Sequence, residues 1–323
     1  MKVLILRFSS IGDIVLTTPA IRCLKEQFPG VEIHFCTKRI YQPLIHSNPY
    51  IDQGHYLDDS LSNLVRILRT ERYDYIIDLH NNLRTKLIKL SLNIRTYTIN
   101  KLNMRKWLYV RWKLDVMPDQ HIVDRYLATL KPFGVQNDGA GLDYFIPVAD
   151  QIEPHELPAT HQSGYVAYAI GGQHATKRLP LDRMIDLCRQ MHEPVVLLGD
   201  INDQATGEAI RQTLGNSLIY NACGRYTLNQ SASLLQQARV VFSHDTGLMH
   251  IAAALRKTVY SIWGSTTPQL GMYPYKTQYY VLEKKELGCR PCSKIGFEQC
   301  PLHHFRCMNE LPLTFEIPLE TIS

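Results

Sequence analysis

The sequence predicts an α/β protein of two domains, and three observations carry that prediction. Short apolar runs alternate with stretches of helical periodicity from the first residues onward. The alternation lapses in a segment rich in Gly, Pro, Asp and His around residues 136–163 and then restarts. The chain has 323 residues, about twice a typical domain. Strands alternating with helices imply parallel sheets covered on both faces.

In the first half, strands are expected at Val3–Arg7, Val31–Cys36, Tyr75–Asp78 and Arg95–Thr98. Helices are expected at Ile14–Phe28, Leu61–Glu71, Thr85–Leu92, Met104–Leu114 and Ile122–Leu130, with Pro19 marking a true start or a kink in the first. Within the linker only Leu142–Val148 could form a strand. The second half gives strands at Tyr165–Ile170, Val195–Leu198, Leu218–Tyr220, Val240–Ser243 and Thr258–Trp263. Helices fall at Leu181–Met191, Ala205–Leu214, Leu228–Gln237 and Leu248–Leu255. The domains are accordingly set at 1–155 and 156–323.

Hydrophobic content of 45% and charged content of 20% are ordinary for a globular protein. No apolar run reaches the roughly 18 residues of a membrane span, and the strand pattern at the very start argues against a cleaved leader, so a cytoplasmic location is expected. The net charge of +5 is mild, but nine Lys or Arg and no acidic residue lie between Arg84 and Lys113, leaving the rest of the chain net negative.

Two loops have the residues for phosphate and acid–base chemistry. After the first strand, Ser9-Ser-Ile-Gly-Asp13 puts a carboxylate beside a glycine where an open sheet binds ligands, beyond its strand ends. Asp13 is equally suited to capping a helix. No G-x-G-x-x-G accompanies it, so a dinucleotide fingerprint is not supported. After Val240–Ser243, Asp245-Thr-Gly247 opens a helix, where N–H groups and the helix dipole attract phosphate.

Together these motifs resemble glycosyltransferase family 9, the heptosyltransferases that build the lipopolysaccharide inner core. The matching residues are Ser9-Ser-Ile-Gly-Asp13 with Thr17-Thr-Pro-Ala20, Asp74-Tyr-Ile-Ile-Asp-Leu-His80 with Asn82-Leu-Arg84, and His121-Ile-Val-Asp-Arg-Tyr126. Further on they are Lys177 with Pro180, Cys223-Gly224 with Leu228, Asp245-Thr-Gly247 with His250, and Trp263-Gly264 with Pro268. The resemblance implies a GT-B architecture, two Rossmann-like domains facing across a cleft, the first binding acceptor and the second a nucleotide sugar. Two departures stand out: Gly172-Gln173 replaces two threonines of the first phosphate loop, and Thr258 replaces a proline.

What the resemblance implies chemically is an inverting, metal-independent transfer of a heptose or related sugar from an ADP-type donor to a lipopolysaccharide-core acceptor. Asp13 is the expected base and Lys177 the expected charge on the leaving diphosphate, since no D-x-D lies at a strand end. Donor contacts are expected from Gly12, Gly171, Gly172, Gln173, Asp203, Asp245, Thr246, Gly247 and His250, with Asp200 the other candidate for the ribose. His250 reads equally well as a core histidine. Acceptor contacts are expected from Ser10, Arg84, Arg105 and Lys106.

The partners expected are thus a nucleotide-sugar donor, an anionic glycolipid and the inner-membrane surface, where Trp107 and Trp112 could rest. The same segment reads otherwise as an amphipathic helix packed on its own sheet. No nucleic-acid motif is present. No cofactor is expected for catalysis, but Cys289, Cys292, Cys300 and Cys307 are candidates for a structural zinc site or a plain thiol cluster. Two other functions fit the fold: a catalytically inactive nucleotide-binding scaffold, which keeping Asp13 argues against, and a nucleotide-sugar epimerase or hydrolase.

Overall fold

The computed structural model describes residues 1–215 and 217–317, and these divide into two compact units. The first comprises Met1–Asn103 and Asp119–Pro147. It holds a five-stranded parallel sheet of β1 (Lys2–Leu6), β2 (Glu32–Lys38), β3 (Gln53–Leu57), β4 (Tyr75–Asp78) and β5 (Thr96–Thr98), in the order β3-β2-β1-β4-β5. β1, at its centre, is buried from Val3 to Leu6, as a strand covered on both faces must be.

The expected long first helix is two: α1 (Ile11–Val15) and α2 (Thr18–Gln27). Pro19 falls in the first turn of α2, where its missing N–H costs nothing. The unit continues with α3 (Leu61–Thr70) and α4 (Leu83–Leu92). Next along the chain is α5 (Asn103–Trp112), and α6 (Ile122–Leu127) follows it back in the first unit. The chain from 142 to 148 forms no strand; there Arg22 of the buried α2 pairs with Asp138 and Asp143 and pins the segment as an extended strap.

The second unit comprises Met104–Pro118 and the described residues from 148 to 317. Its six-stranded parallel sheet runs β11-β10-β9-β6-β7-β8, from β6 (Val166–Ala169), β7 (Val195–Leu198), β8 (Ile219–Asn221), β9 (Val240–His244), β10 (Thr258–Trp263) and β11 (Tyr279–Glu283). Helices α7 (Leu181–Met191), α8 (Gln204–Leu214), α9 (Leu228–Gln237), α10 (Gly247–Ala254) and α11 (Arg306–Asn309) accompany it. The core joins Val166, Tyr168, Leu187, Val195, Phe242 and Tyr260 with Cys307, Met308 and Leu311 from the C-terminal segment.

One boundary differs from expectation. The basic helix α5 counts with the second unit, not the first. Tyr109 lies 3.3 Å from the Thr267 hydroxyl, and the Lys113 ammonium donates to the Pro291 carbonyl at 2.6 Å. No residue of α5 is buried, and Met104, Trp107 and Trp112 are 69%, 50% and 59% exposed, so it is not a helix packed by an apolar stripe.

Candidate active site

In the first unit, the chain leaves β1 at Arg7, which is almost fully buried, and turns into α1 at Ser10. Asp13 sits in the first turn of α1, where a carboxylate gains from the helix dipole. One oxygen accepts from the Ser10 amide (3.1 Å) and hydroxyl (2.8 Å), while the other lies 2.6 Å from the Arg7 guanidinium. The Asp13 side chain remains 21% exposed. Gly12, beside it, is buried.

Arg7 is itself fixed by donating to the Leu79 carbonyl (2.6 Å) and the Ser9 carbonyl (2.7 Å), and it lies over the Tyr126 ring. Burial pulls the pKa of Arg7 down, but Asp13, together with Tyr126 and Asp78, more than offsets this, so the guanidinium stays charged. His80 accepts from the Phe8 amide at 3.3 Å. Burial, aided by Arg7 and Lys101, holds that imidazole down to about 4, so it is neutral at pH 7. Asp78, fully buried at the end of β4, accepts from the His80 and Asn81 amides and pairs with Lys89 at 2.8 Å. The first strand loop is therefore held by a set of charges on β1, β4 and α4.

Asp13 and Ser10 are candidates from the sequence; Arg7, which contacts Asp13, is not, because it reads as the last residue of a strand. Nor is Arg125 on α6, whose buried guanidinium has no hydrogen-bond partner on any of its three nitrogens. Burial lowers its pKa from the usual arginine value. A buried, unpaired cation in a ligand-binding domain is a ready receptor for an anion. Arg84 lies exposed in the first turn of α4.

In the second unit, Lys177 reaches the loop after β9. Its ammonium is 2.7 Å from the Asp245 carboxylate and 3.4 Å from the Asp245 carbonyl. The same carboxylate oxygen accepts from Thr266 at 2.9 Å, which ties in the loop after β10. That loop is braced by the buried Arg290, which donates to the Gly264 carbonyl (2.6 Å) and the Thr266 carbonyl (3.0 Å) and pairs with Glu283 at 2.9 Å. Thr246 caps α10 without a side-chain hydrogen bond to the helix, so the cap side chain does not occupy the first-turn N–H groups. The structure brings Lys177 together with the Asp245-Thr-Gly247 turn; Thr266 and Arg290 join them, and no sequence signal marked either.

Gly171 and Gly172 follow β6 and are there for close approach. A Cβ on Gly171 would lie 2.5 Å from an Asp203 oxygen, and one on Gly172 would press on Arg178 (3.2 Å) and Thr246 (3.3 Å). Gln173 is exposed. Asp203 differs from its expected ribose-binding role: it is only 5% exposed, accepts from the Asp200 amide at 3.0 Å and meets Arg178 at 3.3 Å. It is a brace of its own loop, and burial raises its pKa. Asp200 is exposed and caps the following turn by accepting from the Asn202 amide. His250 is 2% exposed within α10, which fits the core-histidine alternative.

All eight cysteines are free. The zinc expectation is not matched by a closed quartet, because Cys289, Cys292, Cys300 and Cys307 do not form a group whose ligand atoms all lie within 4.8 Å of one another. Instead Cys292 donates to the Cys289 carbonyl at 3.1 Å. Burial pushes the Cys292 thiol up to about 12 and the Cys307 thiol up to about 11. No helix among the described residues is long and apolar enough to cross a membrane.

A family model described as glycosyltransferase family 9 (heptosyltransferase) matches residues 61–303. Among curated relatives, lipooligosaccharide heptosyltransferase 2 of Haemophilus influenzae is 26% identical over 313 residues, covering 83% of this chain and 85% of its own. A glycosyltransferase family 9 structure from Veillonella parvula superposes with a TM-score of 0.72 at 21% identity, covering 88% of this chain and 86% of its own. The ADP-heptose lipopolysaccharide heptosyltransferase II of E. coli superposes at 0.70 and 20% identity, covering 96% and 98%. These structural likenesses place the fold in the GT-B class.

Proposed function

The chain belongs to glycosyltransferase family 9, and on that premise we propose that it transfers a heptose or a related sugar from an ADP-type nucleotide sugar to a lipopolysaccharide-core acceptor, with inversion and without a metal. The observation that carries the reading is Asp13, a carboxylate fixed by Arg7 and Ser10 yet open to solvent at the carboxyl end of the central strand. Such a group is oriented to take the proton of an acceptor hydroxyl as the anomeric carbon is attacked, and direct attack inverts that carbon.

The leaving diphosphate gains negative charge as the bond breaks. Lys177, Arg178 and the amino end of α10 supply positive potential around the Gly171-Gly172 turn, which supports a reading without metal. Asp245 holds Lys177 until the phosphates arrive and then competes for it, which makes Asp245 a positioning residue. Ser10, Arg84 and Arg125 in the first unit, and Arg105 and Lys106 on α5, would meet the acceptor's anionic groups. Exposed Trp107 and Trp112 beside those charges fit contact with an anionic membrane surface.

The test is product formation from ADP-heptose and a heptose-deficient core acceptor. Transfer is expected only when acceptor is present, with the anomeric configuration of the product inverted and the rate unchanged by EDTA. Release of free sugar at the same rate without acceptor would overturn the transferase reading. Loss of activity in EDTA, restored by one divalent ion, would overturn its metal independence.

A further inference from the structure

On β2, β3 and the turn between α3 and β4 of the first unit lies a group of side chains that the transfer chemistry does not use. His34 of β2 and His55 of β3 are almost fully buried. Glu71 ends α3, and the buried Tyr73 follows it. His34 Nδ1 is 2.9 Å from His55 Nε2 and 2.9 Å from the Tyr73 hydroxyl, and that hydroxyl is 2.9 Å from His55 Nε2. Glu71 Oε2 is 3.8 Å from His34 Nδ1. The ligand atoms of His34, His55 and Glu71 all lie within 4.8 Å of one another.

Hydrogen bonds alone do not account for this triangle. His34 Nε2 lies 2.8 Å from the Glu32 carboxylate, which can only accept, so that nitrogen donates, and Nδ1 has a single lone pair or a single proton to offer. A single lone pair cannot serve two donors, and a ring nitrogen either donates or accepts. At least one of the three 2.9 Å contacts therefore lacks a full hydrogen bond. A cation among the three atoms would satisfy all of them.

We propose that His34 Nδ1, His55 Nε2 and Glu71 Oε2 form three corners of a tetrahedral site for zinc or a similar divalent transition ion, the fourth lying beside the Tyr73 hydroxyl. Two imidazoles and a carboxylate are a zinc donor set, and four such ligands at normal bond lengths stand about 3.3 Å apart. The His34–His55 and His34–Glu71 spacings of 2.9 and 3.8 Å bracket that value, and the His55 and Glu71 ligand atoms lie within 4.8 Å, so loading needs side-chain shifts of about an ångström or less. The Glu32–His34 contact is the outer-shell carboxylate that orients a metal-binding imidazole and raises its basicity. Lys2 is the one ammonium in the group; it pairs with Glu71 (3.0 Å) and Glu32 (3.1 Å), and those two carboxylates outweigh it. The site would cross-link β2, β3 and the α3–β4 turn, so its role is structural, and it is independent of the transferase reading.

The test uses chelator-stripped full-length protein titrated with Co(II), then with Zn(II). One Co(II) per chain is expected, with the visible absorption of a tetrahedral nitrogen–oxygen site and no thiolate charge-transfer band. The signal should persist when Cys292 and Cys307 are both changed to serine. His55→Gln should abolish it, and Glu71→Gln, a milder change in case the histidine variant does not fold, should weaken binding at least tenfold. Glu32→Gln should weaken it about 10–100-fold by removing the outer-shell partner. Zn(II) should raise the melting temperature of wild type more than that of Glu71→Gln at the same concentration. Absence of Co(II) binding, a signal lost with the cysteines, or one unchanged in Glu71→Gln would overturn the proposal.

Discussion

Replacing Asp13 with asparagine separates its chemical role from its structural one, and both can be sized. General-base loss costs about two to four orders of magnitude, or about 2.7–5.4 kcal/mol of barrier. The structural cost follows from Arg7 and Ser10. Arg7 is the more buried partner and can only donate, so the amide oxygen must face it. The amide nitrogen is then turned toward the Ser10 amide and hydroxyl, which both donate to Asp13 now. One donor pair is lost at an exposed residue, where water can substitute, and a charge-assisted contact to a buried guanidinium becomes neutral. Together these cost about 2–3 kcal/mol, which lowers the melting temperature by roughly 5–10 °C.

The assay is acceptor-dependent transfer measured well below the variant's melting temperature, with ADP binding followed by calorimetry. The variant should bind ADP as wild type does, because Lys177, Asp245 and α10 belong to the other unit. Its kcat should fall at least a hundredfold. Arg7→Lys, which disturbs the same ion pair but keeps the carboxylate, should lose less. A folded Asp13→Asn enzyme within tenfold of wild type would refute the assignment, as would an Arg7→Lys variant that loses as much.

Lys177→Ala should weaken ADP binding and lower kcat while adenosine binds as before, read by calorimetry and steady-state kinetics, because the lost charge acts on phosphate alone. Charge reversal at both Arg105 and Lys106 should raise the acceptor KM, and the wild-type advantage should fade with added salt; since α5 belongs with the second unit, ADP affinity must be measured beside it, and a larger loss there would assign the helix to the donor. Metal analysis of the Cys292→Ser protein against wild type tests zinc at the four C-terminal cysteines; in metal-free protein the Cys292 and Cys307 thiols, pushed up to about 12 and about 11, should resist alkylation at pH 8. Burial holds His80 and His244 down to about 4 against about 6.5 unfolded, so the unfolded chain binds more protons between these values. Stability should therefore be full above about pH 6.5 and fall as pH drops toward 4, and His244→Gln should flatten the fall measured by thermal denaturation.

Much of the fold is legible because buried parallel strands read as continuous apolar runs. Tyr75–Asp78, Val195–Leu198 and Thr258–Trp263 fall where the sequence predicts them. The two missed strands, β3 and β11, lie at sheet edges, where one side faces no neighbour and residues such as Gln53, Tyr279 and Tyr280 stay exposed. Their apolar pattern is too broken to separate from a loop. Helix α5 was legible as a helix but not as a member of its unit, because the contacts that place it are two polar tips, Tyr109 and Lys113, rather than a stripe.

The candidate site divides the same way. Asp13, Lys177 and Asp245 are legible because each stands in a loop with small residues that mark a strand end, and loops at strand ends are where a sheet binds ligands. What gives those residues their orientation is not. Arg7, Thr266 and Arg290 act across 6, 21 and 26 positions of sequence on Asp13, Asp245 and Gly264, and nothing local distinguishes them from surface residues. Asp203 is the opposite case. A carboxylate after a strand end invites a ligand role, yet the glycines at 171 and 199 are what let it fold back, since a Cβ at either would lie 2.5 or 2.7 Å from it. Gly171, one of the glycines expected at the donor phosphates, thus serves Asp203 as well. The Gly171→Ala enzyme should consequently lose stability as well as donor affinity, whereas a glycine kept only for the phosphate would cost affinity alone.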